Sequence, residues 1–150
     1  RRAAQTGPRR SPRKLKPRSR PPVLVDGSNV VMWHKNAGLE TGARLETLAE
    51  VLRQLEAERS QPRVIFDATI GYKLEGRYLH EGELRRRLNR PDLSVMVVNK
   101  GQTADAALLA EAAQSGAAIV TNDRYRDHAR PRGLRLRQGH FDKGRIRLRA

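Results

Sequence analysis

Cysteine is absent from this chain of 150 residues. That excludes a disulfide scaffold, cysteine-ligated zinc, iron–sulfur clusters and thiol catalysis. It suits a reducing compartment, and the expected localisation is cytoplasmic. Aromatic side chains are scarce, at 4% of residues. No apolar run approaches the ~20 residues that cross a bilayer. No apolar stretch follows the basic N-terminus, so no secretory signal and no membrane partner are expected. The chain does not open on Met and reads as a fragment or processed form. Acidic residues are missing from positions 1–22, which hold nine Lys and Arg.

The formal charge is +15, and it is unevenly placed. Residues 23–123 hold 12 basic and 14 acidic residues, whereas residues 124–150 hold ten basic and two acidic. A near-neutral domain therefore lies between two cationic ends. The length fits one domain rather than two. Three segments are expected: a basic arm over 1–22, a domain over 23–136, and a basic extension or edge hairpin over 137–150. The arm is rich in Arg, Pro and Ser, with Leu15 as its one large apolar residue, and reads as disordered. Either a solvated linker or a phosphate-touching arm suits its charge.

Val23-Leu24-Val25, Val64-Ile65-Phe66, residues 94–98 and residues 117–121 are short apolar runs that read as buried strands. Residues 43–58 and 103–114 carry helical spacing, the latter with Thr103 as N-cap and Gly116 just past its end. Residues 81–89 read as a short charged helix, and 123–130 as another. Leu134 to Leu136 and Ile146 to Leu148 alternate apolar and basic, which suits edge strands or a terminal hairpin. Strands alternating with helices, and continuous rather than alternating apolar strands, predict an α/β fold. Its sheet is mainly parallel, with helices on both faces. Strand carboxyl ends then share one edge, where such sheets bind ligands.

Aspartates recur at that edge. Asp26 ends the first strand and Asp67 the second; Asp105 opens the helix after the third; Asp123 follows the fourth. Asp127 lies one helical turn beyond Asp123, on the same face of the expected helix. Any one of them is most often a turn former or helix cap. Together they form a cleft of like charges, which favours a cation between them. Hard ions such as Mg²⁺ or Mn²⁺ prefer such oxygen ligands.

Val25-Asp26-Gly27-Ser28-Asn29-Val30-Val31, Thr103-Ala104-Asp105, and Ile119 through Asp127 (IVTNDRYRD) resemble the PIN-like NYN nuclease superfamily, closest to its Zc3h12a-like ribonuclease branch. The resemblance covers roughly residues 23–130. It implies a metal-dependent endoribonuclease acting on RNA, expected to be single-stranded. Asp26, Asp105, Asp123 and Asp127 match the family's acidic positions, and Asn29 matches the polar residue that follows the first. An acid at Asp67 is found in related NYN enzymes. The Thr103-Ala104-Asp105 string carries one acid where eukaryotic members of the branch carry two, and the zinc finger that accompanies those members is missing.

The chemistry suits the residues. A carboxylate-held Mg²⁺ or Mn²⁺ lowers the pKa of water, polarises a phosphoryl oxygen and orients in-line attack. Asp26, Asp105 and Asp123 are expected as ligands, direct or through water. Asp127 is expected to ligate or to orient a water, and Asn29 to hold phosphate or a water. Gly27 is expected to allow a tight turn and Ser28 to cap the next segment. Lys73, Arg85, Arg86, Lys100, Arg124 and Arg126, with Ser28, are the expected RNA contacts. Trp33 and Tyr72, in loops after strands, are candidates for base stacking; Phe66 and Tyr125 read as core. His34, His80, His128 and His140 show no metal spacing and are not expected to catalyse. Two other classes stay open: a non-catalytic RNA-binding module with a vestigial acidic site, and a FEN-like DNase. A homo-oligomer and an antitoxin-like or regulatory protein partner also stay open.

Overall fold

The apolar β-branched runs become the strands of one sheet. In the computed structural model, which describes residues 21–150, there are five of them: β1 (Pro22–Asp26), β2 (Gln61–Phe66), β3 (Ser94–Val97), β4 (Ala118–Val120) and β5 (Leu136–Arg137). They pair in the order β3-β2-β1-β4-β5, and every pairing is parallel. Val23, Val25, Val64 and Phe66 enter one core, and Leu24 and Ile65 enter the other. Both sheet faces are thus covered, which is why these strands read as continuous apolar runs. The domain is single and α/β, as its alternating elements predicted. The expected arm falls outside the described residues as far as position 20, and Pro22 already belongs to β1.

Between β1 and β2 lie α1 (Gly27–Val30), α2 (Trp33–Asn36) and α3 (Leu45–Ala57). Between β2 and β3 lie α4 (Ile70–Glu75) and α5 (Glu81–Leu88), and between β3 and β4 lies α6 (Ala104–Ser115). α3 buries Leu48, Val51, Leu52 and Leu55 against one sheet face. α6 buries Leu108, Leu109 and Ala112 against the other. Each buried leucine contributes roughly 1.5–3 kcal/mol of transfer energy. α6 starts where its cap predicts: Thr103 Oγ1 accepts the Ala106 N–H at 3.1 Å. It stops at Gly116, whose φ is 74°.

One feature differs from the sequence expectation, and two add to it. Residues 123–130 form no helix; Tyr125 takes a left-handed φ of 52°, which a continuing helix forbids. β5 is an edge strand of the main sheet, and Ile146 to Leu148 lie in a terminal antiparallel hairpin of β6 (Gly139–Asp142) and β7 (Arg145–Leu148), as the alternating apolar and basic runs allowed. β2 runs through Pro62, which pairs with Val23 of β1 one residue before the β3 pairing begins at Arg63. The missing N–H is therefore not needed by the neighbouring strand. Among the described residues, no helix is long and apolar enough to cross a membrane.

The start of α5 carries a pH-sensitive cap. His80 Nδ1 accepts the Glu83 N–H at 3.3 Å, and Glu83 returns the bond by accepting the His80 N–H at 3.1 Å. That backbone bond first, and the Arg77 guanidinium second, hold the Glu83 carboxyl down to about 2. A carboxylate depressed in this way stabilises the fold above its ordinary value of 4.5 and stops doing so as the pH falls toward 2. Glu83→Gln is therefore expected to melt below the parent at pH 7 and with it at pH 2. Equal melting at neutral pH would exclude this role.

Candidate active site

The order β3-β2-β1-β4-β5 reverses direction between β1 and β4. The crevice beyond the carboxyl ends of those two strands is where open α/β sheets take ligands. Asp26 is the last residue of β1 and stands there, only 3% exposed. Its Oδ2 accepts the Tyr125 hydroxyl at 2.7 Å and the Thr121 hydroxyl at 3.1 Å. Its Oδ1 accepts the Asn29 N–H at 3.3 Å, capping α1. Burial pushes the Asp26 carboxyl up to about 6, and the Asp105 charge adds to the push while the three donors oppose it. Burial and the Asp26 charge also push the Tyr125 hydroxyl well above the ordinary phenol range, so it remains a donor.

The other acids approach from separate segments. Asp105 lies half-buried in the first turn of α6. Burial raises its carboxyl, and the Asp123 and Asp67 charges raise it further, against the pull of His128. His128 Nε2 sits 3.2 Å from Asp105 Oδ2. Asp123 Oδ1 accepts the Tyr125 N–H at 2.7 Å, and its own N–H donates to Thr121 Oγ1 at 3.0 Å. These bonds hold the left-handed Tyr125, a strained backbone of the kind that clusters at functional sites. Asp67 Oδ1 accepts the Ala104 N–H at 2.8 Å, tying the end of β2 to the start of α6. Asp26, Asp67, Asp105 and Asp123 are therefore one electrostatic group at one edge.

Asp127 does not share a helix face with Asp123; it is exposed in the irregular chain after β4. The expected RNA contacts divide. Lys73, Lys100, Arg124 and Arg126 are exposed. Lys100 follows β3, and Arg124 and Arg126 follow β4, at the acidic edge. Arg85 and Arg86 are corrected: they lie in the last turn of α5, which runs antiparallel to β3. Glu81, at the start of α5, accepts the Val97 N–H from the end of β3, whereas Arg85 Nε donates to Leu93 just before it. Both arginines thus stand at the opposite sheet edge.

Ser28 and Trp33 are corrected as well. Ser28 is buried, and its Oγ accepts the Asp67 N–H at 2.8 Å, so it joins α1 to β2 rather than facing RNA. Trp33 lies in α2, not in a loop; it is buried, and its Nε1–H donates to Asn29 Oδ1 at 2.7 Å. That oxygen also accepts the Asn122 N–H at 2.9 Å. Asn29 is thereby locked across the crevice from β4. Thr121, Tyr125 and His128 escaped the sequence reading as site residues. Their one signal was proximity in sequence to Asp123; their contacts are tertiary.

The donor set is oxygen-only, negative and partly desolvated, which fits a hard divalent cation. Among the described residues, no three His, Asp or Glu side chains stand close enough to grip one ion between them. The expected convergence is therefore an edge lined with carboxylates rather than a closed cage. It fits a hydrated ion held partly through water, as Mg²⁺ commonly is.

The family model described as "Zc3h12a-like Ribonuclease NYN domain" matches residues 19–138. No curated protein gives a significant match. Two solved structures of the nuclear protein-only RNase P 2 of Arabidopsis thaliana match at 21% identity, over 87% and 85% of this chain, with TM-scores of 0.62 and 0.61. This chain spans 29% of the length of each. At that identity the likeness establishes a common fold.

Proposed function

We propose, from the premise that this chain belongs to the Zc3h12a-like ribonuclease NYN family, that it is an endoribonuclease hydrolysing RNA at the Asp26 crevice with a divalent cation. The observation that carries this reading is Asp26 itself: a buried carboxylate at the reversal point of the sheet, electrostatically joined to Asp105. A core gains nothing from such a charge, whereas a cation relieves it.

Mg²⁺ or Mn²⁺, when bound, supplies charge neutralisation at phosphorus and an activated water. Asp26, Asp105 and Asp123 would hold it, with Asp67 and the looser Asp127 at the margin. Tyr125 and Thr121 fix the Asp26 carboxylate in one orientation, so little reorganisation accompanies the reaction. Asn29 keeps its amide NH₂ for a phosphate oxygen while its Oδ1 is occupied. Lys100, Arg124 and Arg126 offset the repulsion between two anions, the site and the RNA backbone, which makes binding salt-dependent. Single-stranded RNA is the proposed substrate, because the crevice is an open edge. Hydrolysis is expected to leave a 5′-phosphate and a 3′-hydroxyl.

The test is cleavage of a labelled single-stranded RNA with Mg²⁺, Mn²⁺ and excess EDTA, with the product ends mapped. Expected are loss of cleavage in EDTA, rescue by either ion, and 5′-phosphate products. A 2′,3′-cyclic phosphate would reveal attack by the 2′-hydroxyl and reject the mechanism. Among the described residues the carboxylates line the edge without a three-residue grip, and this spacing favours a second reading, an RNA-binding module without catalysis. That module would bind RNA and leave it intact under every one of these conditions.

A further inference from the structure

A cavity opens at the same sheet edge, displaced from Asp26 toward β3. Its volume is 590 Å³, within the range of small-ligand sites. One wall is the chain directly after Asp67, Ala68 and Thr69; another is the chain directly after β3, Val98 to Lys100. Tyr72 and Tyr78 complete it and are 60% and 49% exposed. These are two of the three tyrosines in an aromatic-poor chain, and neither supports the core.

Their placement is built. Gly71 packs so tightly on the segment 77–79 that a side chain there would overlap the backbone of Arg77 and Leu79. That contact holds the Tyr72 turn, which lies in α4 and not in a loop, against the irregular segment that carries Tyr78, with Leu79 fully buried as the anchor beneath. Two exposed rings beside Lys100, with the Asn99 amide on the same lining, suit a flat heterocycle with an anionic tail. β2 and β3 lie one and two strand positions from β1, a lateral offset of ~5–10 Å from Asp26.

We propose that this cavity is a nucleobase subsite that takes one unpaired base of the RNA close to the bond being cut. Tyr72 and Tyr78 stack on the base, Asn99 reads its edge, and Lys100 meets the adjoining phosphate. A base engaged here must leave any duplex, so the pocket selects for unpaired RNA. The inference rests on the ribonuclease reading and names the substrate feature recognised. It needs no deep burial of RNA, because both rings already face solvent.

The experiment measures kcat and KM of the whole chain on short single-stranded RNA. Tyr72→Ala, Tyr78→Ala and Tyr72→Phe are compared with the parent, on natural RNA and on RNA with one abasic nucleotide stepped along the strand. Stacking predicts a KM raised about ten-fold in each alanine variant, with kcat little changed. Tyr72→Phe should restore the parental KM. On RNA abasic at the stacked position, parent and alanine variants should converge. Unchanged KM in both alanine variants overturns the subsite while leaving the ribonuclease reading intact. Should the parent itself fail to cleave, the ribonuclease reading falls instead. The subsite is then decided by RNA containing 2-aminopurine: quenching by the parent that is lost in Tyr72→Ala upholds it, and equal fluorescence with both overturns it.

Discussion

Asp26→Asn is expected to lower RNA cleavage by ~10³-fold or more while leaving the cation-free domain at least as stable as the parent. The two effects have one cause. The carboxylate is 3% exposed and stands near the Asp105 charge, so the fold bears its desolvation without a compensating opposite charge. Asparagine keeps the shape and removes the charge. Its Oδ1 can still accept the Asn29 N–H, and the Thr121 and Tyr125 hydroxyls can turn to accept from its amide. A gain of about 1 kcal/mol, or about 3 °C in melting temperature, is the expected scale.

Calorimetry in EDTA measures the stability half and a cleavage assay the chemical half. A second arm needs no activity: Mg²⁺ or Mn²⁺ should raise the melting temperature of the parent and not that of the variant. An Asp26→Asn protein that melts well below the parent would mark this carboxylate as scaffold, and its lost activity would then carry no mechanistic weight.

Gly27→Ala should lower the melting temperature by about 10 °C, near the upper end of overpacking costs at about 3 kcal/mol. The first residue of α1 lies directly over β2. A Cβ there would stand 2.6 Å from Phe66 Cδ1 and 2.7 Å from Val64 Cγ1. Phe66 and Val64 are fully buried and cannot yield without opening the core. The alternative is for α1 to lift, and α1 carries Asn29 and is capped by Asp26. Activity should therefore fall along with stability, unlike the split expected for Asp26→Asn. Thermal melting checks it; an alanine variant that melts with the parent would show that the backbone shifts freely. The sequence suggested a turn-forming role for this glycine, whereas its reason is close approach.

The strands and long helices were legible because local patterns specify them. β-branched runs made the parallel sheet, and Thr103 and Gly116 bounded α6 where propensity places them. The helices α1, α2 and α4 went unread because four to six residues carry too little periodicity to register. The expected helix over 123–130 failed at Tyr125, where bonds to Asp26 and Asp123 impose a conformation that propensity disfavours. Arg85 and Arg86 were misplaced because the sequence tells which residues are basic but not which end of the sheet a helix terminus reaches.

What the sequence alone determined is the class of chemistry: oxygen donors without thiols, set at strand ends of a parallel α/β domain, between basic flanks. That much follows from residue type and short-range pattern, which survive in one dimension. Tertiary structure decided which groups act together. Burial of Asp26 under Tyr125, the pairing of His128 with Asp105, and the turning of Ser28 and Trp33 inward join residues as many as 99 positions apart. Such contacts are settled when the sheet closes and desolvation makes each polar group find a partner, and no local pattern records them.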